Sequence, residues 1–328
     1  MLLVVIYHSI VFWRGDWFTK NPVDTAEGFT IFAEFLITFL MYGFVLVSGY
    51  IFYYQRCECG KYEKFFPFIL NKAKRLIVPY VFTALVWVIP IQCIFLDYTI
   101  PELIKNFLLA LSPNQLWFLW MLFDLFVIFH LLSKFLEKNS IIGTVIVLGM
   151  FAVGTLGIIP NAFMITRALT YAPAFYLGFL LRKYGTSALR KIPLPFYIVA
   201  HITLFAISKL LPIPSGIIGR CLCILINFLL NHIGALSAFL VLTYIAGRIN
   251  TNAKPLRLLT KSSLTVYLFH QQAIYPFVFL LNGLITPYLI APIAFIGAMS
   301  VSLIIFLLLS KFNITRFLIG EKPIKKQG

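Results

Sequence analysis

The chain is 328 residues long, 61% apolar and 17% aromatic, with only 12% charged residues and a mean hydropathy of +0.93. Soluble domains carry about 45–50% apolar and about 25% charged residues, so the composition excludes a water-soluble globular protein and indicates a polytopic membrane protein. In so apolar a chain the formal charge of +16 reads as topology signals at helix ends, not as a nucleic-acid surface, and no nucleic-acid partner is expected.

In chain order, with cuts where charges, Pro and Gly cluster, the apolar runs predict ten spans. They lie near 1–13, 29–54, 76–96, 115–133, 140–159, 168–181, 194–211, 221–247, 262–281 and 287–310. The expected fold is all-α, one membrane-embedded domain over 1–328 with about ten transmembrane helices. The first run is short. Met1 to Trp13 precedes the polar Arg14-Gly15-Asp16, and its 13 residues cover about 20 Å of a roughly 30 Å hydrocarbon core. It has neither the basic n-region nor the small-residue cleavage site of a signal peptide, and reads as a first helix cut short at its N-terminal end.

Cations sort the loops, because short cytoplasmic loops concentrate Lys and Arg. Alternate loops and the tail hold 21 of the 27: Arg56, Lys61, Lys64, Lys72, Lys74 and Arg75; Lys134 and Lys138; Arg182, Lys183, Arg190 and Lys191; Arg248, Lys254, Arg257 and Lys261; Lys311, Arg316, Lys322, Lys325 and Lys326. The other 6 are Arg14, Lys20, Lys105, Arg167, Lys209 and Arg220. Ten crossings with both termini cytoplasmic satisfy this split. The five cysteines, 57, 59, 93, 221 and 223, form no disulfide framework, and Cys57-x-Cys59 lacks a second ligand pair, so no metal is expected.

Ionisable groups at bilayer depth cost several kcal/mol and are functional candidates by default. Here they are His8, Glu34, Asp124, His130, His201, His232 and His270, accompanied by Asn227 and Asn231. His8 lies about five residues before its helix ends and His270 about eight residues into a helix that starts at Ser262, so at about 1.5 Å per residue both sit mid-membrane and could face one cavity. Helix-packing hydrogen bonds account more simply for His201 and His232. Asp124, mid-span, either orients a histidine, pairs with a cation or hydrogen-bonds a neighbouring helix. The cluster Lys72-x-Lys74-Arg75 before Leu76 is either a headgroup anchor or a phosphate clamp in which Arg forms a fork and the two Lys act as point charges.

Six short pieces recur in a recognisable order: Val4-Val5-Ile6-Tyr7-His8, Val47-Ser48-Gly49-Tyr50, Lys72-x-x-Arg75-Leu-x-x-Pro79, Leu116-Trp117-Phe118-Leu119, Phe175-Tyr176-Leu177-Gly178-Phe179-Leu180 and Tyr267-Leu268-Phe269-His270-Gln271. Together they resemble the integral-membrane acyltransferase 3 family, whose members acylate, most often O-acetylate, bacterial cell-surface polysaccharides. The resemblance implies that His8 is catalytic and that Lys72 and Arg75, with Lys74 between them, serve an acyl-CoA co-substrate, foremost acetyl-CoA. It also implies a glycan or lipid-linked sugar acceptor, a multi-pass location in the bacterial inner or plasma membrane, and a basic residue at a position that falls before Met1. His8 would act as general base or transient acyl carrier, oriented by His270 or Asp124. The competing expectation is a transporter or flippase for a polysaccharide or lipid-linked glycan, which predicts inverted repeats and paired broken helices that the sequence does not display.

Overall fold

In hydrocarbon every backbone N–H and C=O must find a partner inside the protein, and a helix provides it within one segment. The computed structural model describes residues 1–17, 20–96, 98–111 and 113–324, so Lys325 and Lys326 of the basic tail lie outside the described residues. Among these residues helices make up the regular structure apart from an isolated bridge between Asn282 and Ile285. In order they are α1 (Leu2–Ile10), α2 (Glu27–Tyr53), α3 (Phe65–Thr83), α4 (Ile89–Phe95), α5 (Ile100–Leu108), α6 (Trp117–Lys138), α7 (Ser140–Leu156), α8 (Ile165–Tyr184), α9 (Leu194–Leu210), α10 (Gly216–Ala246), α11 (Lys254–Leu281), α12 (Pro287–Leu309) and α13 (Asn313–Leu318).

Among the described residues seven helices are long and apolar enough to cross a membrane: Glu27–Glu58, Phe65–Phe95, Asn114–Lys138, Ala162–Tyr184, Gly216–Ala246, Lys254–Leu281 and Pro287–Leu309. Three shorter apolar helices complete the apolar runs: Leu2–Arg14 before the first of these, Ser140–Leu156 and Leu194–Leu210 among the rest. Their boundaries differ from the expected ones. Helix α3 begins at Phe65, so Lys72, Lys74 and Arg75 lie inside it, not in a loop before it; α11 likewise begins at Lys254 instead of 262. Charges mark where hydrocarbon gives way to water, and a helix continues past that level as long as its backbone can.

Two buried clusters divide the interior. One gathers Phe52, Phe68, Phe129 and Phe175 from α2, α3, α6 and α8. The other gathers Val5, Ile274 and Ala294 from α1, α11 and α12. The first is closed by a backbone-to-backbone crossing of α2 and α8. A Cβ on Gly49 would collide with the Phe175 carbonyl, and one on Gly178 with the Leu46 carbonyl. This is the small-residue packing by which helices associate in lipid, where burial alone gives little drive. It explains two of the sequence pieces structurally: Ser48, beside Gly49, donates its hydroxyl only to the Phe44 carbonyl one turn back, at 2.8 Å.

Gly178→Val is therefore expected to destabilise the protein by about 1–3 kcal/mol, the usual cost of forcing volume into a filled contact. Ser48→Ala leaves stability unchanged. Thermal unfolding of the two variants in detergent micelles tests this.

Candidate active site

Helices α1 and α11 meet on His8 and His270. The His8 Nδ1 atom lies 3.1 Å from His270 Nε2 and 2.9 Å from the Val4 carbonyl oxygen. The His270 Nδ1 atom faces two carbonyl oxygens, Val266 at 2.8 Å and Tyr267 at 3.0 Å. Carbonyls only accept, so His270 carries its proton on Nδ1 and presents a lone pair at Nε2. His8 Nδ1 in turn carries a proton that Val4 and His270 share. The remaining lone pair of the dyad is on His8 Nε2. His270 is fully buried, whereas His8 is half-buried and lines a cavity of about 290 Å³.

The cavity is built where the chain departs from helix. Asn114 and Met164, both on its wall, have φ of 48° and 62°, and their loop neighbours Ala110 and Phe163 have 47° and 53°. Non-glycine residues in this region are strained, and such strain concentrates at functional sites. The two loops are tied together by Phe163 N–H donating to the Leu109 carbonyl at 2.9 Å. Gln115 fastens them to α11: its Nε2 donates to the Leu268 carbonyl at 3.1 Å and to Gln272 Oε1 at 2.5 Å, Gln272 Nε2 donates back to Gln115 Oε1 at 2.9 Å, and Tyr267 donates its hydroxyl to the Gln115 carbonyl. Trp87, in a π-helical turn between α3 and α4, donates its indole N–H to the Phe269 carbonyl at 3.0 Å. The turns of α11 on either side of His270 are thus braced by two other segments, the turn of Gln115 and that of Trp87.

Aromatic rings shape the rest. Trp17 lies 5.6 Å from His8 centroid to centroid, and Tyr7 packs edge-on to it at 5.0 Å. Across the cavity Arg167 sits over the Trp117 ring at 4.6 Å, and Trp117 neighbours Tyr171. The loop that carries Trp17 is held by Asn282, at the end of α11, whose Oδ1 accepts from Val23 N–H and whose Nδ2 donates to the Asn21 carbonyl.

The other predicted residues fall elsewhere. Asp124 makes no hydrogen bond or ion pair with His8 or His270; its Oδ2 is buried and without a hydrogen-bond partner, about 10 Å along α6 beyond Trp117. His130 bonds the Tyr62 carbonyl at 2.8 Å and stacks on Phe68; His201 bonds Thr38 at 2.8 Å and stacks on Phe35; His232 bonds the Phe228 carbonyl of its own helix at 2.7 Å. Among the described residues no group of three or more His, Cys, Asp or Glu side chains gathers as a metal ion would need.

The basic cluster divides by burial. Lys72 points into the protein, its Nζ 3.6 Å from the centre of Phe126, with Phe68 at 5.4 Å and Tyr62 at 5.6 Å. Lys74 and Arg75 are exposed. Beside them the tail folds back after α12, and Gly320 lies against the Arg75 carbonyl, Pro79 and Leu264. Glu321 follows, its carboxyl raised above the usual range by loss of water although Arg316, 3.2 Å away, and Lys261 pull it down.

A family model for the acyltransferase domain matches residues 1–311. The chain belongs to the acyltransferase 3 family. Neither curated proteins nor solved structures give a significant match. Family membership and the run of apolar helices make it a multi-pass membrane acyltransferase. In this member the histidine dyad stands out from the helix pattern, whereas Gln115, Gln272 and Trp17 do not: amides and a tryptophan near helix ends are unremarkable until the fold brings them to one histidine. Arg167, counted in the sequence only as a loop cation, turns out to line the same cavity as His8.

Proposed function

We propose that the protein transfers an acyl group, foremost acetyl, from acyl-CoA to a hydroxyl of a cell-surface glycan or lipid-linked sugar. The observation that carries this reading is the single outward lone pair of the dyad, on His8 Nε2 in the cavity, with the proton positions of both rings set by backbone carbonyls. As the acceptor oxygen attacks the thioester carbon, His8 Nε2 takes its proton; the C–O bond forms, the C–S bond breaks, and the proton passes to the departing CoA thiolate. His270 is the positioning residue: its Nε2 accepts the hydrogen bond from His8 Nδ1–H and stabilises the imidazolium that forms transiently on His8, in the manner of the orienting carboxylate of a hydrolase triad.

The side chains fit an acyl-CoA entering from the face that carries Lys74 and Arg75. Twelve residues of helical rise separate Arg75 from Trp87, whose indole touches the residue before His270, so the level of the cations and that of the dyad differ by roughly 18 Å along α3, within the reach of a phosphopantetheine arm. Thr83 and Thr265 have buried hydroxyls without hydrogen-bond partners at depths between the two levels, on the helices that flank this path. Arg75 and Lys74 would receive the phosphates, and Lys72, caged by three rings, would hold α3 against α6. That face is the cytoplasmic one in this reading, with both termini on it, because most of the Lys and Arg lie there. Family membership favours acyl transfer over polysaccharide export.

His8→Ala is expected to lower ester formation by about 10²–10⁴-fold and His270→Gln by less, while total surface polysaccharide is unchanged. Base-labile ester measured against total exported polysaccharide tests it; absence of exported glycan in the His8 variant would favour the transporter. In sealed vesicles acyl-CoA, which does not cross bilayers, is expected to support transfer only when the vesicles are inverted. In these, Arg75→Ala weakens acyl-CoA binding by about 1.5–3 kcal/mol with protein level unchanged.

A further inference from the structure

A second cavity, of about 360 Å³, opens beside the first among α2, α8, α9 and α10, and the side chains of Ile37 and Tyr171 line both. Its polar groups bridge the helices around it, Glu34 of α2 to Lys209 of α9 and Tyr42 of α2 to Asn231 of α10, and line the void as well. Lys209 Nζ pairs with Glu34 Oε2 at 2.7 Å, both only partly covered, and the amides of Asn227 and Asn231 face the same space. Lys209 stands in the last turn of α9, so the void opens towards the end of the bundle, where a carboxylate, an ammonium and two amides around it suit a polar occupant.

The wall between the cavities is aromatic. The rings of Tyr42 and Tyr171 are 4.3 Å apart at their centroids, and Tyr171 continues to Trp117 at 5.7 Å, on the wall of the His8 cavity. The two tyrosine rings lie against each other, so what the wall offers an occupant is ring edges beside amide and carboxylate groups, which match the hydroxyl-bearing rim of a pyranose ring. The shared residue Ile37 is one helical turn from Glu34, so an occupant of the second cavity is the immediate neighbour of whatever lies against His8.

We propose that the second cavity is a subsite for the sugar unit adjoining the one that is acylated, with Glu34, Lys209 and Asn231 as its specificity-determining residues. The enzyme then reads at least a disaccharide. The inference rests on the glycan-acylating role proposed above.

The test uses the full chain in lipid nanodiscs with acetyl-CoA and, as acceptor probes, p-nitrophenyl glycosides of glucose, galactose and N-acetylglucosamine beside those of cellobiose, lactose and chitobiose. For the accepted sugar, kcat/KM of the disaccharide is expected to exceed that of its monosaccharide by about tenfold to a hundredfold, the effect of one or two hydrogen bonds to charged groups. In Glu34→Gln and in Asn231→Ala this ratio falls towards unity, and KM for acetyl-CoA stays as in the wild type. A wild-type ratio of one overturns the subsite, as does a ratio that survives both substitutions. A variant that loses activity on both sugars in proportion assigns the residue to packing, which also overturns it. Wild-type protein that releases no CoA with any glycoside counts instead against the acyltransferase reading of the His8 cavity, and does so before any variant is compared.

Discussion

The site depends on two backbone carbonyls in α11. Val266 and Tyr267 leave His270 Nδ1 no role but donor, and that choice passes through His270 Nε2 to His8 and ends as a lone pair in the cavity. A histidine alone on α1 could hold its proton on either nitrogen and turn about its side-chain bonds. Paired with a buried partner whose tautomer the helix dictates, it presents one defined basic atom, as an orienting carboxylate achieves in soluble enzymes but with no charge placed in the low-dielectric interior.

Holding two helices so that their histidines meet asks for rigidity that lipid does not provide. The protein obtains it from backbone proximity and from polar braces. Gly49 and Gly178 bring α2 and α8 together on one side, while Gln115, Gln272, Tyr267 and Trp87 fix the turns of α11 around His270 on the other. The strained loops at Asn114 and Met164 are affordable only because these braces surround them. The cavity lies on the seam between the two buried clusters, with Leu40 of one and Met164 of the other on its wall.

Much of this was legible in the sequence, and the limits are physical. Apolar runs and a biased cation distribution sufficed for an all-helical membrane protein and two mid-depth histidines for His8 and His270 as candidates, while the acyltransferase family rested on the resemblance of six short pieces. Asp124 is, by sequence, as good a candidate as His270, because a charge in an apolar run looks the same at every helix rotation; only packing reveals that His8 is paired with His270 and that Asp124 Oδ2 is left without a hydrogen-bond partner. Lys72 and Arg75 look alike at three residues' spacing, yet Lys72 is enclosed by rings from residues 62, 68 and 126, a cage no local pattern announces. The ends of α3 and α11 lie beyond the expected ones for one reason: hydropathy reports the lipid boundary, and hydrogen bonding carries the helix past it.

The most direct test of the dyad is chemical rescue. A His8→Gly variant leaves a gap in the wall of a cavity of about 290 Å³, room for a free imidazole to take the place of the lost ring. With CoA release from acetyl-CoA followed in the presence of acceptor, the variant is expected to be inactive in buffer and to recover turnover, saturably, as imidazole is added, with His270→Gln on the same background abolishing the recovery. Turnover by His8→Gly at the wild-type rate without imidazole would contradict the assignment of His8 as the base.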